Sequence, residues 1–123
     1  MKTILHITVV LFIMLLTNGC NDDKQVKVEY EASLSVSKYS LSFMDDTGTL
    51  KELTIEPEGA DDVWRYSMIA DEGDIVYVSG KYNDINSALR LNIKIDGKIY
   101  KSASSKGDTL KFLVVSGVVP YSD

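Results

Sequence analysis

One histidine, one cysteine and 18 carboxylates are the side chains here that bear on chemistry. His6 lies in the apolar N-terminal run, so a chain that loses this run keeps no imidazole for base catalysis or metal binding. That excludes the Ser-His-Asp and Cys-His arrangements from the mature protein. Carboxylates stand close together at Asp61 with Asp62 and at Asp71 with Asp74. Such pairs can act as acid and base or hold calcium, but the D-x-[DN]-x-[DN]-G spacing of a calcium loop is absent. Between strands, aspartates of this kind serve as turn formers that accept backbone hydrogen bonds. No Gly-rich phosphate loop occurs and no cofactor pattern is present. The aromatic side chains Trp64, Tyr77 and Tyr82 are the candidates for contact with a ligand or partner; Trp64 also reads as a core or rim residue.

The N-terminus assigns Cys20 a different task. Lys2 precedes a 13-residue apolar stretch, Ile4 to Leu16, broken by His6 and Thr8. This is shorter than the roughly 20 residues that a transmembrane helix needs and reads as a signal peptide, residues 1–19. The following Leu16-Thr17-Asn18-Gly19-Cys20 resembles the lipobox of bacterial lipoproteins. The resemblance implies cleavage before Cys20, acylation of its thiol, and attachment to the outer membrane. Each buried methylene adds about 0.8 kcal/mol to such an anchor. The alternative is ordinary secretory cleavage that leaves a free thiol. Asn21-Asp22-Asp23-Lys24 resembles an acidic surface-export signal, so both the cell surface and the periplasmic face stay open as locations. Residues 20–25 form a tether between anchor and domain. Loss of residues 1–19 leaves 12 basic against 18 acidic residues, a net charge of −6. An acidic surface of this size repels nucleic acid and anionic headgroups, so the membrane contact is lipid rather than a basic patch.

These features must be positioned by strands, because period-two alternation runs through residues 26–120. Val26, Val28, Tyr30 and Ala32 alternate with charged residues and Ser33; Tyr39, Leu41 and Phe43 alternate with serines and Met44. Further strands are expected at Leu50 to Glu56, Val63 to Ala70 and Ile75 to Tyr82. Leu89, Leu91, Ile93 and Ile95 alternate with polar residues up to Asp96-Gly97, which predicts a type I′ hairpin into Lys98-Ile99-Tyr100. A polar loop is expected at Ser104 to Thr109, then a last strand at Leu110 to Val118. The Leu89-to-Ile95 face, with Phe43, Leu53, Ile55 and Val114, forms the expected core. Seven or eight short strands bury one face each in an all-β antiparallel sandwich of immunoglobulin-like or related topology, or in a small closed barrel.

From Val26 to Pro120 the chain also resembles the MmpS family, small accessory proteins of mycobacterial lipid and siderophore exporters. The matching pieces are Val28-Glu29-Tyr30-Glu31-Ala32, Trp64, GDIVYVSGKYN at 73–83 and LNIKIDGKIYKSASSKG at 91–107. The resemblance implies a β-sandwich working in the envelope beside a transporter, without catalysis. Members carry an N-terminal transmembrane helix, whereas this chain has a lipobox, so direct contact with an inner-membrane pump depends on which membrane face holds the domain. Two functions follow as expectations. One is a lipid-anchored accessory module that binds an envelope or transport protein. The other is a surface module that binds a glycan or small ligand through loop aromatics.

Overall fold

A computed structural model describes residues 24–107 and 111–121. The expected signal peptide and Cys20 lie outside the described residues. Eight antiparallel strands form: β1 (Gln25–Ser33), β2 (Tyr39–Met44), β3 (Leu50–Ile55), β4 (Trp64–Asp71), β5 (Ile75–Tyr82), β6 (Ala88–Ile95), β7 (Lys98–Lys106) and β8 (Phe112–Val118). They make two four-stranded sheets, ordered β4-β1-β6-β7 and β3-β2-β5-β8. The antiparallel sandwich expected from the alternation is what the chain forms. Hairpins β2–β3 and β6–β7 stay within a sheet, and every other connection crosses from one sheet to the other. This order differs from the ABED and CFG sheets of an immunoglobulin constant domain, so the topology is a related one.

Alternation fixes what faces inward. Val28, Tyr30 and Ala32 of β1 meet Leu89, Leu91 and Ile93 of β6 and, from the second sheet, Leu41, Phe43, Val76 and Val78. All are buried. One expected core member is not there: Val114 stays 45% exposed on the outside of β8. The cause is parity. Leu113 and Val115 take the inward positions, and Val114 between them must point out. The expected loop at Ser104 is also corrected, because β7 runs on to Lys106 in register with Ala88 of β6.

The turn at Asp96-Gly97 has the predicted form, with φ of 50° and 83° at its two central residues. Asp96 also ties the hairpin to β1: its carboxylate Oδ1 accepts from Lys27 N at 2.9 Å, and its N–H donates to Lys27 O at 2.8 Å. Further along β7, the register shifts opposite Ile93 and Lys94, leaving Tyr100 as a bulge residue. The bulge turns Tyr100 toward β8, where its hydroxyl donates to Val118 O at 2.9 Å. Gly117 leaves room for that ring, since a Cβ there would come within 2.8 Å of it. Along this side the sandwich is closed by β7 against β8.

On the opposite side, aromatic rings fill the space between the sheets. Tyr30, Phe43, Tyr66 and Trp64 form one cluster, with neighbouring centroids 4.6–6.5 Å apart. Tyr30 is fully buried and its hydroxyl is used twice. It donates to Met44 O at 2.7 Å and accepts from Tyr77 N at 3.3 Å. Burial pushes this phenol up to about pKa 12. Because β2 pairs with β5 up to Phe43 opposite Val78, the hydroxyl stands where the next ladder bond, Met44 to Tyr77, would form. A side chain of one sheet is thereby built into the ladder of the other.

Parity gives a direct prediction. Ile93→Ala, at a fully buried position, is expected to lose about 2–5 kcal/mol in urea denaturation. Val114→Ala, on the outer face, is expected to change stability by under about 0.5 kcal/mol. Equal losses would mean that the inward face of β8 has been assigned to the wrong residues.

Candidate functional site

The two outer sheet faces are built differently. On the β4-β1-β6-β7 sheet, Glu31 of β1 is almost fully buried although it lies on the outer face. Its carboxylate accepts from Arg65 Nε of β4 at 3.0 Å and pairs with Lys94 Nζ of β6 at 3.2 Å. Asn92 Nδ2 donates to Glu31 Oε1 at 3.4 Å, and Ser102 Oγ of β7 donates to Asn92 Oδ1 at 2.7 Å. The chain of contacts crosses all four strands. Burial alone would raise the Glu31 pKa; hydrogen bonds from Arg65, Lys94 and Asn92 outweigh it and hold the carboxyl below its ordinary 4.5. Along this line the polar groups of Glu31, Asn92 and Ser102 are satisfied from within the sheet. Its exposed apolar residues, Ile69 and Ile99, stand apart on the two edge strands.

Among the described residues, the outer face of the β3-β2-β5-β8 sheet has no such network. By register, its rows read Thr54–Ser40–Lys81–Phe112 and Glu52–Ser42–Ser79–Val114, followed by residues that include Leu50, Met44, Tyr77 and Ser116. Ile75 opposite Val118 completes it. Leu50, Ile75, Phe112, Val114 and Val118 each leave 45–59% of their surface exposed. The upper rows enclose a depression of about 390 Å³ that includes Ser40, Ser42, Ser79, Glu52, Lys81 and Phe112 in its lining. Short serines on the two central strands make the floor, with Lys81 of β5 and the edge-strand residues Glu52 and Phe112 rising around it. The face thus combines a hydroxyl-lined hollow with an apolar band below it, a pattern that marks contact surfaces in soluble proteins.

A second cavity, about 520 Å³, lies at one end of the sandwich, among Met44, Met68, Ala70 and Ile75 with Asp45, Asp46 and Asp74 at the turns. Two of these carboxylates, Asp45 and Asp74, are turn formers. Asp45 Oδ1 accepts from Thr47 N and Thr49 N, both at 2.9 Å, and Asp74 Oδ2 accepts from Asp71 N at 2.9 Å. Asp62 does the same for Glu58 N at 3.1 Å. Among the described residues, no three His, Cys, Asp or Glu side chains gather as a metal site.

The aromatics singled out from the sequence do not converge. Trp64 is half-buried in the cluster with Phe43 and Tyr66. Tyr82 is a core residue, 1% exposed, whose hydroxyl donates to Gly107 O at 2.8 Å, so it is not presented to a ligand. Tyr77 alone of the three belongs to the candidate face, half-buried on the outer side of β5 and opposite Ser116. Cys20 lies outside the described residues. The serines, Phe112 and Val114 were not picked out from the sequence as a site, because only strand pairing brings β2, β5 and β8 side by side. The outward serines of Tyr39-Ser40-Leu41-Ser42-Phe43 were the available signal.

No protein-family model matches the chain, and no curated protein matches it significantly. Among the described residues no helix is long and apolar enough to cross a membrane.

The Glu31 network predicts a pH dependence with a definite sign. Because the folded pKa is depressed, the stability from ionised Glu31 is complete above about 4.5 and is lost as pH falls through the folded value. In urea titrations, Glu31→Gln is expected to be less stable than the parent protein at pH 7. That gap is expected to narrow toward pH 3. A gap that stays constant across this range would show that ionised Glu31 does not hold the network.

Proposed function

We propose that the protein is a non-catalytic accessory module of the bacterial cell envelope. It is tethered by lipid at Cys20 and binds an envelope partner through the outer face of the β3-β2-β5-β8 sheet. The observation that carries this reading is the contrast between the two outer faces. One is closed on itself by the Glu31 network, while the other leaves Leu50, Ile75, Phe112, Val114 and Val118 exposed around a serine-lined hollow. Nothing in the fold needs those apolar groups outside, since the core is complete without them. Burial of such side chains against a partner gains about 25 cal/mol per Å² of apolar surface before the costs of association.

The resemblance to the MmpS family supports a transporter or other envelope protein as partner. The absence of an imidazole from residues 24–121 and the engagement of the turn carboxylates by backbone N–H groups support binding rather than catalysis. Ligand binding by converging loop aromatics is disfavoured, because Tyr82 and Trp64 are used by the packing.

Site-specific photocrosslinking in living cells tests the reading. A photoreactive residue at Val114 or Ile75 is expected to give a discrete adduct with one envelope protein, and the same group at Arg90 on the opposite sheet is expected to give none. Adducts of equal yield from both faces, or none from Val114 and Ile75, would overturn it.

A further inference from the structure

We infer, building on that reading, that the serine-lined hollow is a binding site for an uncharged, polyhydroxylated ligand, a neutral sugar ring or short glycan. Three features of the hollow favour this chemistry over others.

The first is a free hydroxyl in a sheltered position. Ser79 is 5% exposed although it lies on the outer face, and its side chain lines the depression. Neither it nor the hydroxyls of Ser40 and Ser42 make a side-chain hydrogen bond among the described residues. The Ser79 Oγ is not fully buried and opens into the depression, where a ligand that offers hydrogen bonds can reach it. Hydroxyls suit it well, because serine and sugar hydroxyls each both donate and accept.

The second is spacing. Ser42 is directly opposite Ser79, and Ser40 is two residues from Ser42 along β2. Strand geometry places such positions about 5 Å apart across the ladder and about 7 Å apart along the strand. A triangle of that size lets three serine hydroxyls reach different hydroxyl groups of one bound sugar. Phe112 stands beside the floor, half exposed, as an apolar wall for the C–H face of such a ring.

The third is charge. The whole chain carries a net charge of −5, yet the side chains that line this hollow carry one cation, Lys81, and one anion, Glu52. Their charges cancel, so neither a phosphate nor an ammonium group is favoured. Both suit hydroxyl groups as charge-assisted partners. The volume, about 390 Å³, lies at the lower end of the range for small-molecule sites.

The test is a nuclear magnetic resonance titration of the native chain purified in detergent. The probes are three neutral hexasaccharides (a β-glucan, an α-glucan and a mannan), a uronic-acid hexasaccharide and an apolar decapeptide. At least one neutral probe is expected to shift the amide signals of Ser40, Ser42, Ser79, Gly80 and Phe112 while leaving Arg90 and Ile69 unmoved. Phe112→Ala is expected to weaken binding about tenfold, roughly the worth of one aromatic contact. Ser42→Lys, which fills the floor at a half-exposed position, is expected to abolish it with the remaining spectrum unchanged. Silence from all neutral probes at millimolar concentration, shifts on the other face, or stronger binding of the uronate or the peptide would each overturn the inference. The photocrosslink from Val114 is read separately, so a partner captured there with no saccharide bound would leave the docking face standing without its ligand.

Discussion

The domain depends on one buried hydroxyl. Tyr30 rises from the centre of one sheet and enters the hydrogen-bond ladder of the other between Met44 and Tyr77, so the two layers share a polar contact as well as an apolar core. Around it, Phe43, Tyr66 and Trp64 fill the side of the sandwich away from β7 and β8. The largest rings of the chain are used in this way to hold the sheets together. What remains for recognition is the outer surface of the sheets.

There the two layers diverge for a reason visible in single residues. A buried carboxylate such as Glu31 is tolerated on an outer face only if its neighbours satisfy it. Arg65 and Lys94 come from the strands on either side of β1 to do so. The opposite sheet places small serines and Lys81 on its two central strands and Glu52 and Phe112 on its edges, which leaves the hollow open above an apolar band. A surface of the first kind is complete without a partner. One of the second kind gains from being covered.

Much of the fold was legible in the chain. Alternation in Val26 to Ala32 and Leu89 to Ile95, and the Asp96-Gly97 turn, specify strands whose inward faces are the observed core. Val114 was misplaced because Phe112-Leu113-Val114-Val115 is apolar at both parities, so hydrophobicity could not say which side faces in. The β7 extension was missed because its polar run, Ser104-Ser105-Lys106, has loop composition, while pairing with β6 keeps it extended. The site was less legible still. Tyr77 was recognised as a contact candidate, but Ser40, Ser42, Ser79 and Phe112 come from three strands distant in sequence, and sheet order alone makes them neighbours. Tyr82 and Trp64 looked available because a sequence shows an aromatic's type and not what its ring packs against.

Hydroxyl-radical footprinting of the protein in intact envelopes against the purified chain reads the claim that the β3-β2-β5-β8 face is the working surface. The account predicts that oxidation of Met44, Tyr77 and Phe112 falls in the envelope, while Ile69 and Ile99 on the other sheet react equally in both settings. Equal reactivity of Met44, Tyr77 and Phe112 in the two settings, or protection confined to the sheet that carries Glu31, would contradict it.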